Sequence, residues 1–261
     1  MLSDDAYIRK LPAFLDPVQR VHLESLAFSA DAIAISISRI KHIANQYGTQ
    51  ISSASSTERT EMIIHAWTIV DCVHVIRQTL TALKFKKESV VNYISKYDSA
   101  RTLRNKMDHL TGNAKNVSNS KGTSPTYGCL GYIYISNEDL TFANGTTTPA
   151  AAHSMCVMSG TVLGEQKLKI INPAGKELRM PSCLFELDAF GESISLEQAA
   201  EDSIGLISEL SSSTEKELRD AAEKISTDHN VSKEELLAHH AAGVSVCVRI
   251  EFSNLPKSAD D

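Results

Sequence analysis

Hydrophobic positions recur with a helical period in the first part of the chain and with a strand period later. Asp16-Pro17 suits a helix start, because proline fixes φ and its missing N–H costs nothing in the first turn; from there an apolar pattern runs to Tyr47-Gly48. Within it Val21, Phe28, Ile35 and His42 return at heptad spacing, and Leu26, Ile33, Ile37 and Ile40 complete a broad apolar face. A Ser/Thr-rich connector covers 48–60 and overlaps a second predicted helix over 57–84, with Ile63, Trp67, Val70 and His74 along one face. A third helix is expected over 87–110.

The Gly-, Asn-, Ser- and Pro-containing stretch 111–125 cannot bury a face and reads as a loop. Beyond it the period falls to two. Leu130, Tyr132 and Tyr134 alternate with Gly131, Ile133 and Ile135; further strands are expected over 155–163, 167–171 and 183–188, with a turn at 172–175. Two or three helices follow, over about 195–210, 214–225 and 232–241, each opening on Ser or Thr. A last strand over 244–252 alternates Val244, Val246, Val248, Ile250 and Phe252 with polar or smaller residues. His239 and His240 precede it and diverge on a helix, which makes them surface residues. The expected fold class is α+β: an up-and-down helical bundle over 1–112, a linker loop over 113–125, and a mostly antiparallel β-sheet subdomain with its own helices over 126–261.

The third predicted helix changes character along its length. Its apolar stripe of Val90, Ile94 and Tyr97 continues, at 100° per residue, onto Arg101, Arg104, Asn105 and Asp108. An unpartnered polar group on a buried stripe costs roughly 1–3 kcal/mol, so the stripe either leaves the core here or lines a site. Asn105 and His109 are one turn apart on one face, where an amide can orient an imidazole. An imidazole moves a proton near neutral pH, and a guanidinium offers phosphate a planar fork of donors. Arg104, Asn105 and His109 together therefore suit phosphodiester cleavage. Asp71, in an otherwise apolar neighbourhood on the second helix, is a candidate to position Arg104 or His109, and Arg101 and Asp108 are further supporting candidates.

Arg104-Asn105-Lys106-Met107-Asp108-His109, late in an all-helical first half, resembles the R-x4-6-H motif of the HEPN superfamily over roughly residues 16–112. The resemblance implies a four- or five-helix bundle and a homodimer in which two motifs face one another. It also implies a metal-independent endoribonuclease that cleaves RNA through attack of the ribose 2′-hydroxyl and leaves a 2′,3′-cyclic phosphate. His109 would act as general acid or base, Arg104 would stabilise the phosphorane, and Asn105 would position imidazole or phosphate. Some members have lost catalysis. The alternative is a non-catalytic dimerisation, nucleotide- or RNA-binding module.

The chain has 261 residues, 42% of them hydrophobic, enough for one large or two modest domains, and a net charge of −6. Charge is uneven. Residues 77–121 hold ten Lys or Arg against three acids, whereas 186–237 hold fourteen acids against four bases. This predicts a phosphate-facing surface, with Lys84, Lys87 and Lys106 as RNA contacts, and a separate acidic lobe. The odd set Cys72, Cys129, Cys156, Cys183 and Cys247 contains no C-x-x-C pair and reads as reduced thiols. No H-E-x-x-H spacing occurs, His65 and His74 read as packing or surface residues, and neither a metal nor a cofactor is expected. The first residues lack a basic and then apolar leader pattern, so a cytoplasmic protein without a membrane segment is expected, with RNA, a second copy and a protein regulator or antitoxin as partners.

Overall fold

The computed structural model describes residues 1–12, 14–112, 127–135, 140–141, 147–148, 152–159 and 185–238. Helix α1 (Pro17–Tyr47) begins where the Asp16 carboxylate accepts from the Val18 and Gln19 amides at 2.9 and 3.1 Å. It stops at Gly48, whose φ of 52° favours glycine; a Cβ there would lie 3.0 Å from the Tyr134 ring. Helix α2 (Ser56–Leu83) opens with a capping box in which Ser55 and Glu58 satisfy each other's backbone amides. The two helices run antiparallel, as the Arg39–Glu61 ion pair and the Ser36–His65 hydrogen bond show. Leu26, Ile33 and Ile40 of α1 and Met62, Ile69 and Ile76 of α2 are buried in the core. The heptad positions behave differently: Val21, Phe28 and Ile35 are 62%, 74% and 55% exposed. The broad face read from the pattern is therefore two faces, one packed and one open.

The third predicted helix is two. Helix α3 (Glu88–Lys96) and helix α4 (Asp98–Asp108) meet at Tyr97, whose φ of −103° and ψ of 30° break the helical run. The break has a tertiary cause. Arg77 of α2, only 8% exposed, donates from Nε to the Ile94 carbonyl at 2.9 Å and from Nη2 to Asp98 at 2.8 Å. A buried guanidinium needs such acceptors, and the kink presents them. The break also re-phases the stripe, so that Ala100, Leu103 and Met107 form the inward face of α4.

The second half forms an antiparallel sheet. Its strands are β1 (Cys129–Ile135), β4 (Ala152–Met158), β5 (Phe185–Ala189) and β6 (Glu192–Ser195), in the order β4-β1-β5-β6; β2 (Leu140–Thr141) and β3 (Thr147–Thr148) pair separately. The strand expected around Leu130 is seen as β1, but its burial does not alternate: Cys129, Leu130, Gly131 and Tyr132 are all buried, because the strand lies between β4 and β5, and Ile133 and Tyr134 are half-buried. The 155–163 strand is seen as β4, beginning earlier, and the 183–188 strand as β5. The expected strands at 167–171 and 244–252, the 172–175 turn, and His239 and His240 lie outside the described residues. Cys129 and Cys156 are joined across β1 and β4, which corrects the expectation of reduced thiols for this pair; Cys72 is free.

Two expected helices are one, α5 (Leu196–His229), followed by the short α6 (Lys233–Leu237). The serine run 211–213 does not break α5, because it contains no proline or glycine and the Ser213 hydroxyl donates to the Leu210 carbonyl, within the helix. Ser211 is buried and accepts from the Ile8 amide at 3.2 Å, tying down the N-terminal segment. Buried side chains of both halves join in one hydrophobic core. The expected linker 113–125 thus divides the sequence, while the described parts on either side share a core.

The charge asymmetry also resolves differently from the expected separation into a basic surface and an acidic lobe. Acids of α5 and β6 meet the bases: Glu197 pairs with Lys41, Asp202 with Lys96 at 2.6 Å, Glu209 with Lys87 at 3.9 Å, and Glu192 with Lys106 at 3.4 Å.

By length and hydropathy, the stretch Pro17–Ser53 could cross a membrane, although 44% of the qualifying window is buried inside the protein.

Candidate functional site on the edge of α2 and α4

Because Ala100, Leu103 and Met107 turn inward, α4 presents Arg101, Asn105 and Asp108 to solvent and leaves Arg104 half-buried beside α2. Arg104 is held from both sides. Its Nε lies 2.9 Å from Asp71 Oδ1, and its Nη1 pairs with Asp108 one turn along α4. Asp71 thus touches Arg104, one of the two partners its sequence position suggested. Burial raises the Asp71 pKa above the ordinary carboxylate range, and the Arg104 charge opposes that shift. Oδ1 is itself buried, and no donor is aligned on it, so the 2.9 Å contact is an ion pair without hydrogen-bond geometry.

His109 closes α4 at the C-cap, with φ −100° and ψ 21°, and its amide donates to the Asn105 carbonyl at 3.2 Å. Both side chains are exposed, open to a substrate. Arg101 is engaged elsewhere, with Nε 3.2 Å from Asp98. Lys84 stands exposed in a left-handed conformation after α2. Lys106 donates to the Phe190 carbonyl at 2.9 Å and so bridges to the sheet. Arg104, Asp71 and Asp108 form one cluster; Arg101, Lys84 and Lys87 are not part of it.

One residue at this edge was read from the sequence only as a packing or surface histidine. His74 follows Asp71 by one turn of α2, and its Nδ1 is buried without a hydrogen-bond partner among the described residues. Burial lowers its pKa, and the charges of Arg77, Arg104 and Arg101 push it further down, so the ring is neutral at pH 7. Its sequence signals, a place on the Ile63–Trp67–Val70 face and an i, i+3 relation to Asp71, are too common to single it out.

A groove of about 760 Å³ reaches from Asp71 along α2, walled by Ile64, Trp67, Met107, Tyr127 and Met158. Trp67 is fixed in it, donating from Nε1 to the Tyr127 carbonyl at 2.9 Å. The volume lies in the range of small-molecule sites, and apolar walls with a charged rim suit a flat, partly polar group such as a nucleobase. Among the described residues no group of three or more His, Cys, Asp or Glu side chains could hold a metal ion. Compared with known proteins, the chain matches no family model, no curated protein and no solved structure.

Proposed function

We propose that the α2–α4 edge is the site of a metal-independent endoribonuclease of HEPN type. The observation that carries this reading is the placement of Arg104 at the protein edge by Asp71 and Asp108, next in sequence to an exposed Asn105 and five residues before an exposed His109. In this reading a phosphodiester displaces Asp108 from Arg104, while Asp71, whose Oδ1 is buried, keeps the guanidinium aimed. The ribose 2′-oxygen then bonds to its own phosphorus and the 5′-oxygen leaves. His109 transfers a proton in this step, Arg104 neutralises charge on the phosphorane, and Asn105 orients imidazole or phosphate. A base beside the scissile bond has the Trp67 groove to enter. RNA, a second copy of the chain and a protein regulator or antitoxin are the partners, and the cytoplasm is the compartment.

The double carboxylate contact on Arg104 favours a second reading, in which the bundle binds RNA or a nucleotide without cleaving it. End-labelled RNA incubated with the protein in a chelator decides between them. The nuclease reading expects 2′,3′-cyclic phosphate ends, reduced ~10²–10⁴-fold by His109→Ala. RNA that binds but stays intact supports the second reading, and cleavage undiminished in His109→Ala removes His109 from the chemistry.

A further inference from the structure

The seam of α1 that the core leaves open has the pattern of a helix-pairing surface. Val18, Val21, Ser25, Phe28, Ala32, Ile35, Arg39 and His42 follow one another at alternating spacings of three and four, the repeat that keeps one stripe facing a partner helix. Val18, Val21, Phe28 and Ile35 are 64%, 62%, 74% and 55% exposed. The seam carries no carboxylate. Its arginine, Arg39, is already neutralised by Glu61, with contacts of 2.7 and 3.0 Å, so covering the seam does not strand a lone guanidinium.

We infer that this seam is a homodimer interface, in which α1 packs antiparallel on α1 of a second copy around a two-fold axis near Ser25 and Phe28. The occupant follows from self-complementarity. In an antiparallel pairing with that axis, Phe28 of each chain sits over Ser25 of the other, Val21 over Ala32, and Ile35 beside Val18. Each large side chain of the centre thus meets a small one, which is how helix surfaces interdigitate. A parallel pairing instead stacks Phe28 on Phe28 and Ser25 on Ser25, brings the two Arg39 together, and aligns the helix dipoles unfavourably. In this register the two helices overlap from residue 17 to residue 36, about 30 Å at 1.5 Å per residue. With Phe28 contributing ~150 Å², the overlap covers on the order of 500 Å² per chain, about 1,000 Å² in total, the size of a small specific interface.

This dimer does not depend on the nuclease reading. Helix α2 lies between α1 and α4, packing against both, so a pair formed through α1 leaves an Arg104–His109 edge on each chain.

Sedimentation of the full chain at micromolar concentration tests the inference. The parent protein sediments as a dimer, and Phe28→Glu, at a side chain the fold leaves exposed, weakens dimerisation by ~100-fold or more while keeping the parent's circular dichroism. Paired cysteines fix the geometry: Val21→Cys with Ala32→Cys in one chain cross-links two chains. Ala32→Cys alone does not, because in the antiparallel register its mate is displaced by about 16 Å. A monomeric parent, an undiminished Phe28→Glu dimer, or cross-linking through Ala32→Cys alone overturns the proposal. So does a monomer that binds phosphatidylcholine–phosphatidylglycerol vesicles through the same residues.

Discussion

Arg77 and Arg104 are both guanidiniums where α2 packs on α4, and their surroundings set them apart. Arg77 is buried, and the Ile94 carbonyl and Asp98 hold it at hydrogen-bond geometry. Arg104 is half-buried at the rim, with one carboxylate contact out of alignment and the other exposed to solvent. A buried cation with matched acceptors cannot exchange them without a large loss, so Arg77 fixes the break between α3 and α4. A rim cation whose Asp71 contact is out of alignment and whose Asp108 partner is half-exposed can, in the proposed reading, trade that partner for a phosphate, whose oxygens fit its donor fork. Fixed and exchangeable arginines thus stand on the same pair of helices, Arg77 on α2 and Arg104 on α4, and burial separates their roles.

Breaking each arginine in turn gives the sharpest contrast. Arg77→Ala removes the cation and leaves the Ile94 carbonyl at the break, and it lowers unfolding free energy by about 2–4 kcal/mol; Asp98, being half-exposed, recovers some solvation. Arg104→Ala changes stability by no more than ~1 kcal/mol, as a partly exposed ion pair does, but abolishes most of the RNA-directed activity. Urea unfolding of both variants measures the difference. Equal losses would mean that Arg104 is as structural as Arg77.

Acidification probes the same edge more gently. The folded pKa of His74 is depressed below the ordinary imidazole value of about 6.5. The unfolded chain therefore binds a proton that the folded chain refuses, so stability is complete above that value and falls as pH drops toward the depressed one. The raised pKa of Asp71 acts with the opposite sign: its contribution is present below the ordinary carboxylate value and is lost as pH rises through the folded one. Unfolding at pH 7 and pH 5 shows the parent losing stability on acidification and His74→Gln losing less. An identical pH dependence in the two proteins would remove the buried imidazole as its cause.

The smallest effect concerns surface charge. Lys84 is exposed, whereas Lys87 faces Glu209 and Lys106 is tied to Phe190. Lys84→Glu weakens RNA association alike for all sequences and lowers the salt slope by about one contact, while Lys87→Glu does less because its charge is already partly answered. A salt titration of binding reads this directly, and an unchanged slope for Lys84→Glu places the RNA path elsewhere.

What the sequence determined by itself rests on short-range chemistry. Asp16-Pro17 and Gly48 set the ends of α1 because capping and left-handed φ are local matters, and Leu130 and Tyr132 share one face of β1 because side chains alternate along any strand. The one-turn relation of Asn105 to His109 follows equally from helix periodicity. Tertiary structure decided what depends on distant partners. The break at Tyr97 needs Arg77 from another helix, Ser211 is buried under the N-terminal segment whose Ile8 amide donates to it, and Lys87 and Lys96 of the basic segment meet acids more than a hundred residues away. The same holds at the candidate site, where Asp71 reaches Arg104 only because α4 packs on α2, and His74 nearby keeps its Nδ1 out of water. Periodicity marks which positions are apolar. It does not say which of two apolar stripes on α1 the rest of the chain will cover, because that depends on where the neighbouring helices lie.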